Sequence, residues 1–316
     1  MQKIRVGISR CLLGEPVRYD GNHNLDRYLV RTLGTYIDYV PVCPEVECGM
    51  GILRETLRLV GNPDSPRMIT IQTQKDFTRK MQAWAHKRVR ELEMEGLCGF
   101  IFKSKSPSSG MERVKIYNEQ TGIPSKRGIG LFAKAFMEYF PLIPVEEEGR
   151  LNNLFLRENF IERIFVYKRW QKQMYGNSTQ AKLIDSHTCH KLLIMSHSTP
   201  VYRQLGKLVA EAKSKELKSA ISEYHTLLMK ALRLKATVKK NTNVLQHIMG
   251  YFKKNLTPDE KEELLEIIEQ YHQEQVPLIV PVTLLNHYVR KFDQPYLKYQ
   301  VYLNSHPVEL KLRNHT

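Results

Sequence analysis

Alternating apolar and polar positions predict a strand over residues 4–9, a second over 36–42 and a third over 68–73, where Ile69 and Ile71 share a face. Residues 26–33 read as a short helix. Residues 75–96 read as a longer one, with Phe77, Met81, Trp84, Val89 and Leu92 near helical spacing and Gly96 as the stop. A fourth strand is expected over 99–103, a fifth over 114–117, a helix over 128–140 and a short strand over 142–145. Strands alternating with helices imply a mostly parallel sheet, an α/β arrangement of the three-layer Rossmann or flavodoxin-like kind.

Strand signals fade from Arg150 onward. Helices are expected over 153–174, 181–195, 201–213, 217–234, 242–254, 259–273 and 282–292, with a break at 176–179. Thr257-Pro258-Asp259-Glu260 is a helix-start signature: the threonine caps, the proline sits at the first helical position and Glu260 reaches back. The expected organisation is an α/β domain over 1–149 followed by an all-α domain over 150–316.

The chain has 316 residues, 42% of them hydrophobic, enough for two cores. Residues 1–10 are charged and alternating, unlike a signal peptide. The longest apolar stretch, 276–285, is broken by Pro277 and Pro281 and too short to span a bilayer. The expectation is a cytoplasmic protein with no membrane contact. Five cysteines in such a chain point to metal binding or catalysis rather than a disulfide framework. Net charge is +15; residues 1–150 hold 23 Lys and Arg against 18 Asp and Glu, leaving 25 against 15 for the rest. A basic second half suits RNA or nucleotides, and a solvated lysine-rich helical surface is the more common source of such a balance.

Three segments carry chemistry. They are Ser9-Arg10-Cys11-Leu12-Leu13-Gly14 with Arg18-Tyr19-Asp20-Gly21, then Cys43-Pro44-Glu45-Val46-Glu47-Cys48-Gly49, then Lys103-Ser104-Lys105-Ser106-Pro107-Ser108-Ser109-Gly110. Each follows a predicted strand, and in an open parallel sheet such loops share one edge. Thiolates at loop tips suit zinc or an iron–sulfur cluster, and iron with an open position acts as a Lewis acid. Glu45, stiffened by Pro44, suits a general acid or base. The serine loop offers N–H groups and hydroxyls to an anion or heterocycle, with Ser9, Ser108, Gly110 and Arg113 as substrate contacts. Buried structural cysteines and an ordinary turn account for the same residues.

The combination Cys-Leu-Leu-Gly with Arg-Tyr-Asp-Gly, Cys-Pro-Glu, and Lys-Ser-x-Ser-Pro-Ser-x-Gly resembles the thiouracil desulfidase family over roughly residues 1–145. The second half resembles an uncharacterised helical family through Asn243-Val244-Leu245-Gln246-His247-Ile248-Met249-Gly250-Tyr251-Phe252 and Val276-Pro277-Leu278-Ile279-Val280-Pro281. The first resemblance implies a [4Fe-4S] cluster held by three cysteines, with the fourth iron free to take the sulfur of a thiolated nucleobase. It implies Cys11 and Cys43 as ligands, Glu45 as acid/base and Ser106 as the assisting serine. The third ligand belongs at position 109, where this chain has Ser109.

Cys98 lies about 20 Å from the serine loop at ~3.3 Å per residue, near the wrong sheet edge. Cys48 shares a loop with Cys43 and can turn back to the metal, and Cys189 falls in the helical half. Serine oxygen is a poor match to iron–sulfur chemistry. Three readings stand: Cys48 completes the site, two cysteines hold a labile cluster, or the cluster is lost. Arg18, Arg54 and Arg113 flank the loops as phosphate clamps or salt-bridge partners. In the helical half, His187, His190 and His197 with Asp185 are a candidate polar site. Lys230, Arg233, Lys235, Lys239, Lys240, Lys253 and Lys254 form a basic strip able to contact RNA. Tyr251, Phe252, Tyr288 and Tyr296 read as core. The expected function is desulfidation of a thiolated pyrimidine or related thio-heterocycle; the rival is a cluster-less module that binds a nucleotide-like ligand and RNA.

Overall fold

A computed structural model of the protein describes residues 3–176, 178–212 and 216–315. The chain divides into two compact units, Met1–Phe160 and Ile161–Thr316.

The first unit opens with β1 (Ile4–Ser9), whose apolar side chains are buried, and a turn of 3-10 helix over Arg10–Leu13. Next come α1 (Arg27–Arg31), capped by Asp26, then β2 (Ile37–Val42) and the one-turn α2 (Pro44–Glu47). They are followed by β3 (Leu57–Val60), β4 (Arg67–Thr70), α3 (Thr78–Glu93), β5 (Phe100–Phe102), β6 (Val114–Tyr117), β7 (Pro124–Gly128), α4 (Leu131–Tyr139) and β8 (Val145–Glu147). The expected parallel sheet is present in the order β2-β1-β5-β8, every pair parallel. A second sheet, β4-β3-β6-β7, was not foreseen as a separate unit; its outer pairs are antiparallel and its central pair parallel.

Where the elements differ from expectation, local chemistry explains it. Gly128 belongs to β7 and pairs with Val114, so α4 starts only after Gly130. β7 reads Pro-Ser-Lys-Arg-Gly and has no apolar face to predict it from. The core beside β5 is aromatic: Phe100 and Phe102 stack with centroids 4.4 Å apart, and Phe132 and Phe136 of α4 close over them. Gly7 is required there, since a Cβ would meet the Phe100 ring at 2.2 Å.

In parallel order 2-1-5-8 the chain leaves β1 for one neighbour and later returns on the other side. The C-terminal ends of β1, β2 and β5 therefore flank a topological switch point. The backbone N–H of Lys103 donates to the Ser9 hydroxyl at 2.8 Å, fastening the ends of β1 and β5.

The helix α5 (Leu154–Met174) spans the division between the units. The helical unit continues with α6 (Gln180–His197), α7 (Thr199–Glu211), α8 (Leu217–Leu232), α9 (Val238–Met249), α10 (Pro258–His272), α11 (Ile279–Lys291) and α12 (Pro295–Lys298). Lys213, the expected end of α7, lies outside the described residues. Thr257 and Glu260 form the predicted capping box. No helix among the described residues is long and apolar enough to cross a membrane.

This unit buries an ion network. The Nε2 of His197 lies 2.7 Å from Glu162 Oε1 and its Nδ1 2.6 Å from the Leu234 carbonyl, so both ring nitrogens face oxygen acceptors. The Arg313 guanidinium stands 3.5 Å from the other Glu162 oxygen. Burial pushes Glu162 up, but the His197 hydrogen bond and charge and the Arg313 charge outweigh it and hold the carboxyl at about 2. Burial holds His187, His190, His225 and His306 down at about 4.

Unfolded histidine binds a proton below about pH 6.5, whereas these four stay neutral in the fold until about 4. The unfolded chain therefore gains protons first, and stability falls as pH drops from about 6.5 toward 4. Glu162 adds a further loss from about 4.5 toward 2. Urea unfolding followed by helix signal should show a midpoint that declines steadily from pH 7 to 4.5; a constant midpoint would contradict the burial of neutral histidines.

Candidate active site

A cavity of about 400 Å³ opens at the switch point, lined from the ends of β1, β2 and β5 and by the Glu55–Leu57 approach to β3. Of the predicted residues, Ser9, Cys11, Cys43, Glu45, Ser106 and Ser109 line it, as do Arg18 and Arg54. Cys48, Ser108, Gly110 and Arg113 do not.

Cys11 sits in the 3-10 turn after β1, which ends at Gly14 with φ +91°. Its carbonyl accepts from Asn24 N–H at 2.9 Å, folding residues 14–24 back across the cavity. Cys43 caps α2, and its backbone N–H donates to Glu47 at 2.8 Å. Arg88 of α3 holds Glu47 in turn at 3.1 Å. The Cys43 sulfur lies 3.7 Å from Glu45 Oε2. Burial pushes the Cys11 thiol up to about 11, against the nearby Lys103 charge, and the Cys43 thiol up to about 12, with Glu45 adding to the rise.

Glu45 is held from two sides. Ser108 Oγ donates to its Oε1 at 2.6 Å, and the Arg54 guanidinium lies 3.9 Å from its Oε2. Arg54 also donates to the carbonyls of Val17, Gly51 and Ile52, at 3.2, 2.8 and 3.1 Å. It is the salt-bridge partner rather than a free clamp, and it ties the loop after β1 and the loop after α2 around the carboxylate. Arg18 faces the cavity with Asp20 3.8 Å away. Arg113 is 76% exposed beside Glu112, turned to solvent by a left-handed backbone (φ +54°).

The serine loop is rigid. Gly110 N–H donates to the Ser106 carbonyl at 2.8 Å, and Phe132 and Ala133 N–H groups donate to the Ser108 carbonyl. Gly130 lies against this backbone so closely that a Cβ would stand 2.4 Å from the Ser108 carbonyl carbon. Three consecutive glutamates, which the sequence reading passed over, hold the surroundings. Glu148 accepts from Ser104 N–H at 2.7 Å, the Ser104 hydroxyl at 2.9 Å and the Lys103 ammonium, while Glu147 accepts from Met111 N–H at 2.7 Å. Glu146 pairs with Arg150 at 2.6 Å. Their signal was an acidic run directly after the strand expected over 142–145. Lys103, Lys105, Tyr19 and Asn24 also line the cavity.

Cys48 packs with Leu59, Met68, Met81, Val114, Ile116 and Leu131 in an apolar cluster. Its sulfur contacts the Glu45 carbonyl at 3.4 Å. Cys98 lies at the start of β5, at the opposite end of the strand from the serine loop, and Cys189 lies on α6 of the helical unit. Ser109, 3% exposed, presents a hydroxyl 3.4 Å from that of Ser108. A cluster bound by three cysteines does not fit this donor set of two thiols and one hydroxyl, and the described residues include no group of three or more His, Cys, Asp or Glu able to hold a metal ion. The helical histidines are separate: His187 bonds Tyr224, His190 the Ser186 carbonyl, and His197 belongs to the ion network. Lys240 of the basic strip donates to the His197 and Lys235 carbonyls, each at 2.8 Å.

Fold and site together define a parallel α/β domain with a thiol- and carboxylate-lined cleft at its switch point. Residues 6–148 match the model of the 2-thiouracil desulfurase family, and residues 191–307 match a protein family of unknown function, DUF1722. The chain is similar to the uncharacterized protein YbgA of Escherichia coli (strain K12), 29% identical over 153 residues, covering 48% of this chain and 90% of that one. It is also similar to the solved structure of TudS, a [4Fe-4S]-dependent thiouracil desulfidase, at 27% identity and TM-score 0.40, covering 49% of this chain and 97% of that one.

Because the thiolate is the reactive form, metal-free Cys11 and Cys43 are expected to be alkylated slowly by iodoacetamide at pH 7, with rates climbing through pH 9–10. Mass spectrometry of the two peptides checks this; rates matching free cysteine at pH 7.5 would contradict it.

Proposed function

We propose that the N-terminal domain is a desulfidase-like enzyme that replaces sulfur by oxygen on a thiolated pyrimidine or related thio-heterocycle. The observation that carries this reading is Glu45, a carboxylate fixed at the cavity wall between the Ser108 hydroxyl and the Cys43 thiol. The match of residues 6–148 to the 2-thiouracil desulfurase family supports it.

The reaction needs no electrons: water's oxygen bonds to the thiocarbonyl carbon, the carbon–sulfur bond breaks, and sulfur leaves with both water protons as hydrogen sulfide. Glu45 takes a proton from the water and returns it to sulfur. Ser9, at the end of β1, and Ser106 offer oxygens to the edge of the ring, and Arg18 faces the open side. The [4Fe-4S] cluster that the family resemblance implies would be anchored by Cys11 and Cys43, and this chain supplies no third thiol to the cavity, so no step is assigned to it. Ser109 favours a second reading, a domain that binds a nucleotide-like ligand without turning it over.

Two measurements separate these. Full-length protein, as isolated and after anaerobic loading with iron and sulfide, should release sulfide and uracil from 2-thiouracil. Glu45→Gln should lower the rate by about 10²–10⁴-fold. Absence of sulfide from both samples sinks the enzyme reading. Ser109→Cys should raise retained iron toward the about four per chain of a [4Fe-4S] cluster. Iron content unmoved by that change would remove position 109 from the ligand shell.

A further inference from the structure

We propose that Tyr19 is a specificity-determining residue, its ring being the face against which a flat, conjugated heterocycle lies in the cavity. The inference rests on the desulfidase reading and narrows the substrate to rings that can stack. Tyr19 is the one aromatic side chain among the described residues that line the cavity.

The backbone around Tyr19 is fixed. Arg18 N–H donates to the Asn22 carbonyl at 3.1 Å and Gly21 N–H to the Arg18 carbonyl at 3.0 Å, closing a tight turn with Gly21 at φ +72°. Inside it, Asn22 N–H donates to Asp20 Oδ1 at 3.1 Å. Arg54 pins this segment on both sides of Arg18. Its N–H donates to the Tyr19 carbonyl at 3.3 Å and its guanidinium to the Val17 carbonyl at 3.2 Å. The same guanidinium lies 3.9 Å from Glu45 Oε2, so Tyr19 and the carboxylate are both fastened to one residue.

The side chain carried by this rigid turn is 41% exposed. A ring left that open forgoes burial that a ligand stacked on it would supply. The Arg18 guanidinium lies over the ring, 5.7 Å from its centroid and within cation–π range, and favours the position the ring holds. Ser9, Ser106 and Glu45 address the edge of a ligand, through hydrogen bonds; Tyr19 supplies contact with its face. A planar ring stacks on such a face whatever its edge bonds to, and a puckered, saturated ring with the same edge loses that contact. Because the turn is already ordered, stacking costs little beyond the side chain's own freedom.

The test uses the full chain and two probes that contain no sulfur to release. One is uracil; the other is 5,6-dihydrouracil, which keeps the carbonyl and N–H edge on a puckered ring. In equilibrium dialysis the parent should bind uracil more tightly. Tyr19→Ala should weaken uracil roughly five- to hundredfold and leave dihydrouracil nearly unchanged, whereas Tyr19→Phe should bind both as the parent does. Retained dihydrouracil binding reports that the variant's site is intact. The proposal is overturned by a parent that binds the two probes alike or binds neither. It is equally overturned by a Tyr19→Ala that keeps the preference or loses both probes together, or by a Tyr19→Phe that behaves as Tyr19→Ala does. Sulfide release from 2-thiouracil judges the desulfidase reading separately: a parent that prefers uracil through Tyr19 and releases no sulfide keeps the stacking face and loses the enzyme.

Discussion

The parallel pairing of β1 with β2 on one side and β5 on the other is the constraint on which the site depends. Residues far apart in sequence have no reason to meet unless their strands end along one edge. Pairing Ser9 with Val42, and fastening Ser9 to Lys103, sets three loops side by side. From those loops come both thiols, the carboxylate and the serines. Much of the remaining structure keeps that edge in order. Arg88 reaches from α3 to the carboxylate that caps Cys43, Arg54 binds two loops to Glu45, and the glutamates at the end of β8 hold the serine loop in place. Few of these residues would touch a ligand, and most of the buried polar chemistry is support.

Burial works against the thiols that it gathers. Cys11 and Cys43 are shielded enough to remain protonated at neutral pH, and any soft cation must displace those protons on binding. The binding energy of a metal centre is reduced by that amount, and two sulfurs bring less of it than three. Ser109 makes the deficit larger, because its hydroxyl gives up a proton far less readily than a thiol does. The same hydroxyl fits the neighbouring serines, so the position is filled by a group suited to hydrogen bonding rather than to ligating iron.

The strands of the parallel sheet, the order of helices and the meeting of Cys11, Cys43, Glu45 and Ser106 were readable in the sequence, because they follow from apolar alternation and from the rule that loops after parallel strands share an edge. β7 was not readable. Its five residues carry no apolar pattern and become a strand only by pairing with β6. Cys48 was read as able to turn back to the metal; it stands at the end of the one-turn α2, packs in the apolar cluster with Leu59, Met68 and Met81, and does not line the cavity. Ser108 looked like a substrate contact, being one of several serines in a row. Only the loop's internal hydrogen bonds show that it points inward to Glu45 while Ser106 and Ser109 meet the cavity.

The ion network of the helical unit bears on how the chain is made. Glu162 stands near the start of that unit in sequence, whereas Arg313 is synthesised after all of α6 to α12. On a ribosome, the buried carboxylate waits for the last of its partners while the intervening helices emerge. The C-terminal segment also supplies the carbonyls of Asn304 and Ser305 to Arg169, and the Tyr302 carbonyl to Arg313. A nascent chain stalled before residue 313 would leave Glu162 with His197 but without the guanidinium on its second oxygen.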